Sequence, residues 1–144
     1  MKTKQTPGQR LITQAKEWIQ TGKNQQAKQE LEMVLRSATS KLSQDPEVMI
    51  LCGKANMNLG YLIIAEQMFT KAHYHPGFEA RSLRLLGELA HSKKDYAKAL
   101  HFWQQSLTIE TTWDLAYQTG LLLKDHMCDT SMALEHFSLA VDLA

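Results

Sequence analysis

A repeat constrains this chain more than any other feature. Ala65, Phe69 and Ala72 recur as Ala99, Trp103 and Ser106, then as Ala133, Phe137 and Ala140, each set 34 residues after the last. Twelve residues before the leading alanines stand Gly53, Gly87 and Leu121. Self-similarity at a fixed period in this range means stacked supersecondary units, each too small to bury its own apolar face. A less regular copy precedes these, with Ala15, Trp18, Gly22, Ala27, Leu31 and Val34 in the same relative places. Its leading alanine, Ala27, lies 38 residues before Ala65, four more than the period. Four residues make about one helical turn. The second helix of that copy is therefore expected to run one turn long, through "SATSKLSQD".

Within each copy, apolar residues return at i, i+3, i+4 and i+7, the helical spacing. The breaks carry helix-ending and helix-starting chemistry. Asp45-Pro46 offers an N-cap followed by proline at the first helical position. Gly60 and Lys93-Lys94 suit helix ends, Pro76-Gly77 separates copies, and Asp95, Thr111-Thr112 and Asp129-Thr130 are cap candidates. Eight helices are expected, over 8–21, 24–42, 46–58, 62–75, 79–92, 96–109, 113–126 and 130–143, with residues 1–7 a flexible N-terminus. The repeats fall at about 8–42, 46–79, 80–113 and 114–144, in one domain. No β-branched run alternates with polar residues over a useful length, so strands are not expected.

These residues resemble the tetratricopeptide repeat family: a 34-residue period, Gly, then Ala twelve residues on, then an aromatic and a further small residue. The third copy matches best, through Leu83, Leu86, Gly87, Tyr96, Ala99, Leu100, Trp103, Ser106 and Leu107. In the last copy Leu121 replaces the glycine, and Gly120 sits one position early. The resemblance implies an all-α fold, a right-handed α-solenoid of four helix-turn-helix repeats, whose first helices line a concave groove that binds peptides. Family geometry then assigns groove positions. The first copy supplies Ile12, Lys16 and Ile19, and the second Ile50, Lys54 and Met57. Arg81, Arg84, Glu88 and His91 come from the third, and Leu115, Gln118, Leu122 and Asp125 from the fourth. Ile12, Ile19, Ile50 and Met57 are expected to anchor apolar side chains of the partner, with Lys54, Arg81 and Arg84 pairing acidic ones. One branch of the family clamps a C-terminal carboxylate. At the clamp positions this chain has Ile12, Lys16, Leu51, Arg81 and Leu85, of which only Arg81 fits, so a chaperone-tail ligand is disfavoured.

Charge narrows the function classes. With 16 basic and 15 acidic residues the net charge is +1, and the groove positions, with Glu47 of the second copy included, carry four basic residues against three acidic. No electrostatic drive toward nucleic acid or an anionic membrane is present. No apolar run approaches the ~20 residues of a membrane span. The N-terminus lacks the apolar stretch of a secretory signal. Two cysteines among 144 residues fit a reducing compartment. Cys52 is expected to be buried and Cys128 exposed. Six histidines raise the question of a metal, and His91 and His126 are expected to approach each other, but no ligand spacing completes a set. No phosphate loop, dinucleotide fingerprint or nucleophile elbow occurs.

The expectation is a non-catalytic, cofactor-free cytoplasmic scaffold or adaptor that binds a protein or peptide. A small secretion- or assembly-linked chaperone is the alternative, and a nucleic-acid-binding helical repeat is less favoured. Met132, Leu139, Val141 and Leu143 of the last helix are expected to be left uncovered, so a homodimer through that helix is a further expectation. Trp113 is the tryptophan expected to meet a partner.

Overall fold

The structure is a computed structural model that describes residues 4–144. Every regular element among the described residues is helical: α1 (Pro7–Gln20), α2 (Asn24–Arg36), a 3₁₀ turn (Lys41–Gln44), α3 (Pro46–Asn58), α4 (Leu62–His73), α5 (Glu79–Ser92), α6 (Tyr96–Ile109), α7 (Trp113–Asp125) and α8 (Thr130–Leu143). The eight α-helices fall where the periodicity puts them. They form two compact units that divide between Ala72 and His73.

The first unit differs from expectation at two places. The N-terminal helix begins earlier than residue 8, because Thr6 and Gln9 make a reciprocal capping box and Pro7 takes the first helical position. Thr6 and Pro7 therefore belong to the helix start; of the expected flexible segment, residues 1–3 lie outside the described residues. The expected one-turn extension of α2 does not form. The helix stops at Arg36, Ser37 turns extended, and the four extra residues of this copy fold as a separate 3₁₀ turn. The cause lies in "SATS". Serine and threonine hydroxyls compete locally for backbone groups. Here the Ser40 hydroxyl accepts from Leu42 N–H while Ser43 donates to the Ser40 carbonyl.

The core of this unit gathers Ala15, Ala27, Leu31, Val48, Leu51, Cys52 and Ala55, with Ile12, Trp18, Ile19 and Leu42 packed on its margin. A polar cluster lies beside it. Asn56, fully buried, accepts a hydrogen bond from Lys28 Nζ (2.8 Å) and donates to the Cys52 carbonyl (2.8 Å), while Lys28 also pairs with Glu32 at 2.5 Å. This ties α2 to α3 through groups that demand one register.

In the second unit α5 and α6 form one hairpin and α7 and α8 another. Two side chains of α6 stitch it to the backbone of α5: the Trp103 indole N–H donates to the Arg84 carbonyl (3.1 Å), and the Ser106 hydroxyl to the Ala80 carbonyl (2.8 Å). The core joins Ala90, Ala99, Trp103, Leu107, Leu115, Ala116, Leu122 and Ala140.

The hairpins share one device. Gly53 faces Phe69, Gly87 faces Trp103 and Gly120 faces Phe137; a Cβ on these glycines would lie 2.5, 2.3 and 2.6 Å from the opposing rings. The missing side chain lets each ring lie against its partner helix. Gly120, not Leu121, therefore fills the glycine place of the last copy. The one-residue offset arises in the following turn. Gly22, Gly60, Lys94 and Cys128 all adopt positive φ, each five residues before the leading alanine of its copy. In the first three turns the next residue donates to a carbonyl five back: Lys23 to Trp18, Tyr61 to Asn56, Asp95 to Ala90. In the last turn Asp129 reaches six back, to Leu123. One residue is inserted at the C-terminal end of α7, ahead of Cys128.

Candidate functional site

The inserted residue changes which side chains α7 presents. A shift of one position turns a helical residue by about 100°. Aligned through Gly87 and Gly120, the counterparts of Arg81, Arg84, Glu88 and His91 are Asp114, Tyr117, Leu121 and Lys124. Of the residues expected from the unbroken period, Gln118, Leu122 and Asp125 nonetheless line the α5–α7 cleft described below, and Leu115 does not. Leu115 is a core residue and offers no groove anchor, while Tyr117 stands exposed. Ile50 is corrected likewise: it is fully buried, within an unbroken buried run from Val48 to Gly53. An apolar residue on a helix that is buried around its circumference serves packing.

In the first unit, α1 and α3 bring together Lys16 and Glu47 as an ion pair at 3.6 Å. Ile12 and Ile19 are half-buried against the core there, and Lys54 and Met57 are partly exposed on α3. A shallow hollow lined by Lys4, Gln5, Gln9, Ile12 and Thr13 lies at the start of α1.

A concavity in the second unit gathers several of the expected groove residues. A cleft of about 520 Å³ lies between α5 and α7, lined by Glu88, His91, Ser92, Trp103, Gln118, Leu121, Leu122, Asp125 and His126. Five of these (Glu88, His91, Gln118, Leu122 and Asp125) were expected at the groove, and Leu122, only 2% exposed, forms part of its floor. Four rings cluster here, and three of them, His91, Trp103 and His126, line the cleft. Tyr96 stacks on His126 with centroids 3.9 Å apart, and His91 stacks on Trp103 at 5.8 Å. The two pairs meet where His91 and His126 stand edge to face at 5.6 Å, the approach anticipated from sequence. Tyr96, which caps the stack from behind His126, was read only as a packing residue. Its role depends on the α6 start folding back over the α7 end, which the repeat pattern does not encode.

Above this cleft, Arg84 spans the two helices. Its guanidinium bonds Asp114 at 2.7 Å and lies 3.9 Å from Glu88. The hydrogen bond from Arg84 holds the Asp114 carboxyl below the usual aspartate range. Arg84 was expected to pair with acidic groups of a partner; it is committed instead to two carboxylates of its own chain. Arg81 is exposed, with its guanidinium 5.3 Å from the Phe78 ring centroid.

The remaining candidates sort by exposure. Cys52 is buried and Cys128 exposed, as expected; burial pushes the Cys52 thiol up to about 11. Trp103 is buried, Trp18 half-buried, and Trp113 is 53% exposed. On α8, Leu139, Val141 and Leu143 are exposed and Met132 is half-buried; Leu134, not anticipated, is among the most exposed apolar residues. Among the described residues, no group of three or more His, Cys, Asp or Glu side chains is placed to hold a metal ion. No described helix is long and apolar enough to cross a membrane.

Comparison with solved structures fixes the fold class. A crystal structure titled "Crystal structure of MamA" matches with a TM-score of 0.77 and 18% sequence identity, over 92% of this chain and 75% of that one. The chain is similar in fold to MamA. That likeness shows the expected class, an all-α helical repeat of the tetratricopeptide kind. A second structure, "MamA 41-end from Desulfovibrio magneticus RS-1", covers 92% of both chains at 18% identity, but its TM-score of 0.43 adds nothing to the fold argument. No family model matches the chain, and no curated protein does.

Proposed function

We propose that this chain is a non-catalytic protein-interaction module of the tetratricopeptide type, and that it holds an extended segment of a partner protein against the α5–α7 face. The observation that carries this reading is the cleft between these first helices. It combines apolar surface at Leu121 and Leu122, an aromatic wall, and polar groups at Glu88 on α5 and at Gln118 and Asp125 on α7. Mixed concavities of this size and lining accept side chains of a docked peptide. Tyr117 and Trp113, both exposed on α7, extend the surface with the large, rigid side chains that dominate binding energy at interfaces.

A binding role also accounts for what the charged groups do. Arg84 pairs with Glu88 within α5 and with Asp114 across to α7, and the second contact links the two helices. A spaced, rigid pair of helices is what a groove requires. We read the module as an adaptor or scaffold acting in the cytoplasm, with protein rather than nucleic acid as its partner; the near-neutral charge of the chain supports this.

The test is selection of random peptides of about twelve residues on the immobilised protein, repeated on Ser92→Trp. Ser92 is an exposed residue of the cleft lining, and a tryptophan there would occupy the cavity from the last turn of α5. Selected peptides are expected to lose about tenfold or more in affinity on Ser92→Trp, with helicity unchanged. Unaltered binding to that variant refutes the α5–α7 assignment.

A further inference from the structure

We infer that the outer face of α8 is a docking site for a single amphipathic helix of a partner protein, seated on α8 as α7 is seated on α6. The inner face of that helix is alanine and leucine, and its flank carries lysine or arginine. The site lies apart from the α5–α7 cleft and stands without the peptide reading of it.

The repeat itself shows what covers such a face. On α6, Leu107 is 8% exposed and shares a core with Leu115 and Ala116 of α7, and Leu100 packs against the same core. Thirty-four residues later the same places on α8 hold Leu134 and Val141, which are 66% and 74% exposed. Residues at this spacing share one side of a helix. The adjoining helix repeats the pattern. Arg84 crosses from α5 to Asp114 of α7, while its counterpart Tyr117 is 47% exposed, its ring 5.7 Å from that of Phe137 on α8. Leucine, valine and tyrosine surface thus stands bare where a further first helix would pack. Stacked repeats leave such a face for a neighbouring helix to cover.

Charge selects the occupant. Each of the other seven α-helices carries Lys or Arg, and α8 carries none. Glu135 and Asp142 follow Leu134 and Val141 by one position, so both exposed carboxylates lie on one flank, about 100° round from the apolar strip. A second copy is a poor match. Docked α8 to α8, it adds two further carboxylates and no lysine or arginine from that helix. Docked through its N-terminal helix, it offers no apolar surface: between Gln9 and Gln20 every exposed side chain of α1 is polar or charged. This face therefore disfavours the homodimer expected from sequence. A partner helix with inner residues like Leu115, Ala116 and Leu122 of α7, and with basic residues on its flank, meets both the apolar strip and the acidic edge.

The experiment uses the full chain and a library of stapled helical peptides the length of α7. These keep Leu115, Ala116, Thr119, Leu122 and Leu123 of α7 at their relative positions and carry Lys, Gln or Glu elsewhere. Binding is read by fluorescence anisotropy. The tightest peptides are expected to carry Lys along one flank, and exchanging it for Glu should weaken them about tenfold. Leu134→Ser/Val141→Ser, at two exposed positions, should weaken them about tenfold or more with helicity unchanged. Leu134→Ala alone serves if the double change lowers helicity, and it should cost at least about threefold. In Glu135→Gln/Asp142→Asn the preference for Lys over Glu should disappear. Ser92→Trp should leave the affinity within about twofold, which separates this face from the cleft. Failure of every library peptide to bind overturns the inference. So does binding that survives the α8 changes, that is lost on Ser92→Trp, or that ignores the exchange of Lys for Glu. Light scattering supplies the last arm. A monomeric wild type supports a partner helix, whereas a dimer dissociated by Leu134→Ser/Val141→Ser puts a second copy on this face and overturns the assignment.

Discussion

Replacing Gly87 by alanine probes the packing that makes each hairpin. A Cβ on Gly87 would stand 2.3 Å from both Cδ1 and Nε1 of Trp103, against an ordinary contact of about 3.5–4.0 Å between carbon atoms. Trp103 is 4% exposed, so its ring has little room to retreat, and movement breaks its hydrogen bond to the Arg84 carbonyl. Overpacking a well-filled core costs about 1–3 kcal/mol. The lost hydrogen bond costs about 1 kcal/mol. Against these, alanine favours a helix interior over glycine by about 1 kcal/mol. The net expectation is a loss of about 1–3 kcal/mol, read as a lower urea midpoint with unchanged slope. A second arm isolates the cause. Trp103→Leu leaves a cavity and destabilises by itself, but it makes space for the new methyl. The double variant should therefore be more stable than the sum of the singles predicts, by about 1 kcal/mol or more. A neutral or stabilising Gly87→Ala, or strict additivity in the pair, refutes the close-approach reasoning.

Three further outcomes are expected. One thiol per chain, Cys128, should react with a thiol reagent in the native state at pH 8, and Cys52, its thiol pushed up to about 11, should react only on unfolding; two fast-reacting thiols would contradict the buried placement. The Asp114 carboxyl, held below the usual range by Arg84, is more acidic folded than unfolded, so its stabilising contribution is present above the ordinary aspartate value of about 3.9 and lost as pH falls through the lower folded value; a carbon-detected NMR titration should show this lowering in the wild type and its disappearance in Arg84→Met. Asn56→Ala should cost about 2–3 kcal/mol in chemical unfolding, because Lys28, a half-hidden ammonium, loses its Asn56 acceptor; a loss under about 0.5 kcal/mol would show that water replaces the amide at little cost.

The repeat made the helix order legible, because small residues and rings at fixed spacing mean close helix pairs. Asp45, Asp95 and Asp129 were readable as caps, and each accepts a backbone N–H as expected. Thr112 takes the N-cap place of α7 without a side-chain bond. What misled the reading was arithmetic along the chain where the structure follows contacts in space. Gly120 sits one position off the period, so positions read from the fixed period lie about 100° from those matched through the glycines; Leu115 falls in the core as a result, while Gln118, Leu122 and Asp125 still line the cleft. The pairing of Gly120 with Phe137 was the available signal. Ile50 was assigned by position in the repeat, although the apolar run "VMILC" around it already signalled a helix buried on all sides. Arg84 illustrates a different limit. Its acceptor Asp114 lies 30 residues away on another helix, and sequence shows that both charges exist without showing that they meet. The same holds for Lys28 and Asn56, 28 residues apart on α2 and α3. The approach of His91 to His126 was legible, since both lie near the ends of adjacent first helices; Tyr96 completing the stack was not.

The most direct test of the central claim is an amide chemical-shift map of the ¹⁵N-labelled protein titrated with a selected peptide. The account predicts that the largest shifts fall on α5 and α7 around Glu88, His91, Gln118, Leu121 and Asp125, together with the Trp103 indole N–H, and that Ser92→Trp abolishes them. Shifts confined to the outward surfaces of α6 and α8, with the cleft residues unmoved, would contradict it.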